Sequence, residues 1–538
     1  MKTKNLLFIG IFIIALAFLA LLIIFPQKSE SQLIEKCYLL PGLEGCENYR
    51  DKYQETGLPY ERNIQGLQPV KSSSIVLLNN GSTTTLNPKV VYKEINGQRI
   101  RMFGYNGEIP GSLLKVKQGD TIYVNVTNEL DQETTIHWHG IRLNNKFDGV
   151  PHSTQEPIMP GETFTYEIKF PDAGIYWYHP HVREDYQQEL GLYGNILVSP
   201  TDETYFNKVN REEFLFVDDI NLQDEDVFTY YSNKINHVLM GRFGNTFLIN
   251  GNTNYTLNVI KGEVIRFFVT NPSNTRTFNI SIPEAQIKLI GSDGGSYEKE
   301  EFINSVIVSP SERVTIEVLF TNPGKYSLTH ITPLSNYTLG EITVTNAPIS
   351  KDYSGDFLSL KNNSFVNLEV NGLREYSNKE PDVQINLGVK VPSVGHIEHP
   401  SEGNEDNIEW EDTMQLTNIR SSNETIKWTI IDEATGRSNM DINYNWKVGD
   451  KVKIRIFNDP NSDHPMQHPI HFHGQRFVVL SKDGIPNDNL AWKDTVLVPK
   501  GSTIDILMDI TNPGKWMTHC HIAEHLSSGM MFEFGVEE

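Results

Sequence analysis

With 538 residues, 38% of them hydrophobic and 21% charged, 39 Gly and 27 Pro, the chain is globular, rich in turns and too long for one ordinary domain. That composition excludes a coiled coil, a collagen and a disordered polymer. A formal charge of −22, from 46 basic against 68 acidic residues, repels phosphate backbones and excludes nucleic acid as a partner.

The chain starts with Lys2 and Lys4, then an uncharged apolar run from Leu6 to Phe25 that Pro26, Lys28 and Glu30 end. A helix of that length rises about 30 Å, the thickness of a bilayer core. A cleavable leader has a shorter apolar stretch and a small-residue cleavage site, and none is evident, so residues 1–27 are read as a signal anchor. The positive flank stays in the cytoplasm; everything after the run is exported, tethered to the membrane on its extracytoplasmic side. Residues 28–69 carry no obvious core strand and read as a juxtamembrane stalk. Cys37 and Cys46 within it suit a disulfide in an oxidising compartment, which leaves Cys520 as the odd cysteine of the three. Sequons at Asn80, Asn254 and Asn336 permit surface glycans.

Beyond the stalk the chain repeats itself. Residues 116–128, 260–271 and 447–458 each run through a Gly-acid pair into alternating apolar and polar residues and end in Asn. A second segment follows each: 160–181, 310–330 and 499–521. Period-two alternation with β-branched residues and Gly, Pro and Asn stops predicts strands joined by turns. Copies so far apart make the repeat a whole domain. The expectation is all-β: three β-sandwich domains near 70–200, 205–346 and 355–538. The stretch from about Glu398 to Asn423, rich in Glu, Asp and Asn, reads as a surface loop.

Ten of the 16 histidines fall in four clusters: His137-Trp-His139, His179-Pro-His181, His468-Pro-Ile-His471-Phe-His473 and His519-Cys-His521 with His525. Residues i and i+2 of a strand share a face, so each His-x-His pair aims two imidazoles at one place. Four such pairs offer eight nitrogen ligands. Cys520 lies between two of these histidines and faces the opposite side, where His468, His525 and Met530 can meet it. Two histidines, a thiolate and a weak axial thioether are the ligands of a blue-copper electron-transfer site. One strand thereby joins two metal sites. Zinc has no redox chemistry, and eight inward histidines exceed one tetrahedral site. Non-haem iron wants a carboxylate beside two histidines, and the clusters hold none. The ligand types select copper.

The four clusters resemble those of the three-domain multicopper oxidases, the group of laccases, bilirubin oxidase and bacterial cuprous oxidases, over roughly residues 70–538. The resemblance implies three cupredoxin-like Greek-key β-sandwich domains and four copper ions. Type 1 copper would take His468, Cys520, His525 and axial Met530. Type 2 copper would take His137 and His471. One type 3 copper would take His139, His179 and His521, the other His181, His473 and His519. In the middle domain Phe278-Asn-Ile-Ser stands where the first has His137-Trp-His139, and only His330 remains, so that domain has no complete copper site and reads as a spacer.

The implied reaction takes single electrons at the type 1 copper from a phenol, an aromatic amine or a low-valent metal ion, and reduces O₂ to water at the trinuclear cluster. Asp148 and Glu524 match family acids that relay protons; Asp148 also suits a Phe-Asp-Gly turn. Leu526 stands where many bacterial relatives carry a Glu. With 11 Met in all, packing explains most of them, and His464 reads as an exposed loop residue. Two rivals are a copper nitrite reductase, which would lack the eight-histidine set, and a copper-binding electron carrier, which would leave it idle.

Overall fold

The computed structural model of the protein describes residues 62–538, apart from 224–225, 228–229, 231–233, 392–406, 413 and 415–425. The apolar run, Cys37 and Cys46 and nearly all of the stretch read as a stalk lie outside the described residues. Among the described residues no helix is long and apolar enough to cross a membrane.

The alternating segments form strands. The first repeated segment gives Thr121–Thr127, Val264–Thr270 and Lys451–Asn458; each pairs antiparallel with a strand of the second, Thr163–Lys169, Arg313–Leu319 and Thr503–Asp509. Alternation sets which side is buried: Ile122, Val124 and Val126 point inward while Tyr123 between them is exposed. The turns before these strands need a positive φ, and glycine supplies it, at +92° for Gly119 and +101° for Gly449.

Facing each of these sheets is a second one. It carries Gly174–His179 beside His137–His139 in the first unit, Gly324–Ile331 beside Phe278–Ser281 in the middle one, and Gly514–Cys520 beside His468–Phe472 in the last. The architecture is all-β, three successive sheet pairs with their cores between the layers. Val124, Trp138 and Ile168 fill the first core, Val217, Phe267 and Ile316 the middle one, and Ile454, Phe472 and Trp516 the last. Truncating one of these buried tryptophans would cost about 3–5 kcal/mol.

The first and last units lock together beside the histidine strands. Asn512 Nδ2 donates to the Leu143 carbonyl at 2.8 Å and Asn145 Nδ2 to that of Lys515 at 2.6 Å. The expected surface loop around Glu398–Asn423 differs where it is described. Ile408, Trp410 and Met414 are buried, because the strap is stitched down by Gln467, which bonds Glu409 N–H and C=O, and by Arg276, which donates to the Trp410 carbonyl. Its polar composition concealed three apolar anchors.

Candidate metal centre

Strand register assembles the histidines. His137 lies opposite His179 in the first unit, and His471 opposite His519 in the last. All eight imidazoles of the paired clusters are buried and interleave across the interface: His137 stacks on His473 with centroids 4.0 Å apart, and His139 on His471 at 3.7 Å. Three overlapping groups bring their ligand atoms within 4.8 Å of one another: His137, His471 and His473; His137, His139 and His179; His181, His473 and His519.

Hydrogen bonds orient the rings. The Nδ1–H groups of His137, His179, His471 and His519 donate to the carbonyls of Asp148, Pro180, Asp494 and Cys520 at 2.8–3.0 Å. His473 Nδ1 donates to Asp148 Oδ2 at 2.8 Å, and His181 Nδ1 stands 3.2 Å from Glu184 Oε1. That turns Nε2 of each ring inward. His137, His179, His181, His471 and His521 have a buried Nε2 with no partner among the described residues, while those of His473 and His519 lie 3.0 Å apart. His139 is reversed: its Nε2 donates to Asp494 Oδ1 at 3.0 Å and its buried Nδ1 has no partner among the described residues. Burial pulls His139, His179, His181, His471 and His519 toward the neutral form, with His473 down to about 4 and His521 to about 3, and neutral imidazole is the form that binds metal. Buried ring nitrogens converging from eight imidazoles fit copper.

The strand Gly514–Cys520 sends Cys520 into the core of the last unit, on the face away from this cluster. Its Sγ is 3.6 Å from His468 Nδ1 and 3.7 Å from His525 Nδ1, and those nitrogens are 3.3 Å apart. Met530 is buried in the same core and tied to both neighbours: its carbonyl accepts from Cys520 N–H and its N–H donates to the His525 carbonyl. Trp428 stacks on His525 at 3.9 Å. A helix, Lys234–Met240, covers this pair: His525 Nε2 donates to the Leu239 carbonyl at 3.1 Å, and Trp428 Nε1 to that of Val238 at 2.6 Å. His464, expected in an exposed loop, is instead fully buried, because the segment entering the His468 strand runs beneath Trp428.

Asp148 is both turn residue and acid. It ends the short turn Asn145–Phe147, before Gly149, whose φ of +84° and close approach to the Ile136 carbonyl exclude a side chain. Burial alone would raise its carboxyl, but His473 and His137 hold it well below the usual range. Glu524, on the short helix Ala523–Ser527, is buried; burial, then Asp185 and Glu189, push its carboxyl well up, against the opposing charge of Arg242. Sequence reasoning missed four residues: Glu184, Asp494, Trp428 and Arg313. Glu184 was readable, three residues after His181. The others lie far along the chain from what they touch, and only the fold brings them there.

Family models for multicopper oxidases match residues 89–203, 221–349 and 399–538. The chain belongs to the multicopper oxidases. The multicopper oxidase mco of Staphylococcus haemolyticus is 29% identical over 447 residues, covering 80% of this chain and 83% of that protein. The multicopper oxidase MmcO of Mycobacterium tuberculosis is 27% identical over 481 residues, covering 83% and 86%. Among solved structures, a multicopper oxidase of Campylobacter jejuni described as a metallo-oxidase superposes with a TM-score of 0.66 at 24% identity, covering 89% of this chain and 99% of that one. This multicopper oxidase is a copper-dependent oxidoreductase with oxygen as its electron acceptor, and the nitrite reductase alternative is not favoured.

The buried imidazoles make the copper-free enzyme sensitive to acid. His468 is held down to about 3, by burial and then by His464, against an ordinary value of 6.5. Below about pH 6.5 the unfolded chain takes up a proton that the folded site refuses, so folding stability falls with pH until the folded value is reached. Replacing His468 with Gln removes that proton, and the loss between about pH 6.5 and pH 4 should become shallower by up to about 1.4 kcal/mol per pH unit. Denaturant unfolding of both copper-free proteins across that window measures the difference; parallel curves would contradict the burial argument.

Proposed function

We propose that the enzyme holds four coppers: type 1 at His468, Cys520, His525 and Met530; type 2 at His137 and His471; and a type 3 pair at His139, His179 and His521, and at His181, His473 and His519. Copper bound there would supply one-electron uptake from a reductant at the cysteine site and reduction of O₂ to water at the histidine cluster. The observation that carries the reading is a single strand. Cys520 is peptide-bonded to His519 and His521, and its own carbonyl accepts the His519 Nδ1–H at 3.0 Å, so the two sites are joined by bonds of the chain itself. Asp148 orients His137 through its carbonyl and His473 through its carboxylate. Asp148 and Glu524 are the candidate proton relay: Asp148 is held as the carboxylate beside the cluster, and Glu524, whose carboxyl burial favours in the protonated form, can donate protons, in place of the Glu absent at Leu526.

The reductant we propose is a low-valent metal ion, with phenols and aromatic amines as the second reading. The outer nitrogen of His525 is already bonded to the Leu239 carbonyl beneath a helix, so a flat aromatic ring cannot reach it directly. Oxygen uptake should be faster with Cu⁺, Fe²⁺ or Mn²⁺ than with phenols; a preference for phenols would reverse the order of the two readings. Cys520→Ser should abolish the intense blue colour and the oxidation of every substrate while leaving copper at the histidine cluster. Wild-type oxidation rates in that variant would refute the route through the strand.

We further propose that the enzyme is anchored by residues 1–27 with its copper domains outside the cell membrane. The basis is the apolar run behind Lys2 and Lys4. N-terminal sequencing of native protein, with fractionation before and after an alkaline wash, should find the intact N-terminus in the membrane fraction. A soluble protein starting beyond residue 25 would overturn the anchor and leave the oxidase reading intact.

A further inference from the structure

The middle unit holds none of the ten clustered histidines, yet one of its side chains reaches the histidine cluster. Arg313 begins the strand Arg313–Leu319 and is fully buried. Its guanidinium touches all three units. Nε donates to the Ile175 carbonyl, in the strand of the first unit that ends at His179, at 3.0 Å. Nη1 donates to the Ser311 carbonyl of its own unit at 2.9 Å. Nη1 and Nη2 together grip the carboxylate of Asp494 in the last unit, at 2.7 and 2.5 Å. Asp293 fixes the Arg313 backbone in turn, accepting its N–H at 2.8 Å.

Asp494 is where this brace meets the cluster. Its Oδ1 accepts from His139 Nε2 and its backbone carbonyl from His471 Nδ1, so one residue orients two stacked imidazoles from different units. Thr495 Oγ1, which donates to Asp494 Oδ1 at 2.9 Å, completes the setting. The packing leaves no slack. At Gly140, directly after His139, a Cβ would stand 2.3 Å from Asp494 Oδ2 and 2.9 Å from Arg313 Nη2.

We infer that Arg313 is a positioning residue of the copper cluster: by holding the Asp494 carboxylate in one orientation it fixes His139 as the Nε2–H tautomer, with Nδ1 turned toward the metal. The middle unit is then a working part of the centre rather than a spacer. A bidentate Arg–carboxylate pair fixes orientation as well as charge, which a lysine cannot do. Removing the arginine leaves a buried carboxylate without its cationic partner, free to turn away from His139. The inference rests on the reading that the eight histidines hold copper.

The test is copper binding, measured separately at the two sites of the full-length protein. Competition with a chelator gives cluster affinity, and blue absorbance reports the cysteine site. Arg313→Met should weaken copper at the histidine cluster by about 10–100-fold, the range for loss of a group that orients a metal ligand, while the blue colour persists. Arg313→Lys should fall between, keeping the charge but not the fork. Wild-type cluster affinity in folded Arg313→Met, or equal loss at both sites, would overturn the inference. If Arg313→Met does not fold, Asp494→Asn, which breaks the same paired bonds, is read by the same criteria. A wild-type protein that binds copper only at Cys520 would instead refute the four-copper reading and is distinguished by its own copper count.

Discussion

The two-faced geometry of a single β-strand is the constraint on which the rest of the molecule depends. Successive side chains of Gly514–Cys520 alternate between the sheet's faces, so the thiol of Cys520 enters an apolar core while His519 and His521 turn to a crowded interface. A one-residue slip would exchange these environments, sending the thiol toward the imidazoles and the imidazoles into hydrocarbon. Register therefore has to be fixed. It is fixed on both sides, by pairing of His519 with His471 and with Met531, the residue after Met530. Separation of the two sites and their closeness have the same cause.

Burial and crowding drive seven of the eight packed imidazoles toward the neutral form. Each charged ring would be desolvated and would repel its neighbours, and both effects favour loss of the proton. The fold then has only to decide which nitrogen keeps the remaining hydrogen. It does so mostly with backbone carbonyls, at His137, His179, His471 and His519, which leaves few carboxylates near the cluster. Three carboxylates also meet rings: Glu184 stands beside His181 of its own unit, while Asp148 and Asp494 each hold a ring of one unit while belonging to another, Asp148 taking His473 and Asp494 taking His139. Asp148 and Asp494 thus also tie the first and last units together.

Much of this was legible in the sequence, and for a definite reason. Strand alternation and a cluster of His-x-His pairs are local patterns, so the all-β class, the repeat and the convergence of the imidazoles follow from spacing alone. The cysteine site needed one further step, the opposite face of the same strand. What could not be read are contacts whose partners share no segment. Trp428 on His525, Arg313 on Asp494 and the helix Lys234–Met240 over Leu239's bond to His525 depend on how units pack, and local patterns carry no record of that. His464 was misjudged for a related reason: a polar residue among Asp, Pro and Gln looks exposed until the ring above it, Trp428, is known. The strap at Ile408–Trp410 misled in the same way, since its composition is polar and its few apolar anchors are what bury it.

The middle unit shows how the same fold is turned from metal binding to support. Its rung corresponding to His137–His179 and His471–His519 is Ile280 paired with His330. The isoleucine fills the core, and His330, facing it rather than a second imidazole, accepts the Asn279 N–H at its Nδ1. Burial draws His330 down to about 4, so it stays neutral there without a metal. An imidazole whose lone pair is taken by a backbone N–H, as in His330, has none left for a metal; one that donates to a backbone carbonyl, as His137, His179, His471 and His519 do, keeps its lone pair. Freed of copper ligands on that rung, the unit keeps the strand beyond it, and it is that strand, starting at Arg313, which crosses to Asp494. Without a histidine pair of its own, the middle unit is joined to the centre by an ion pair.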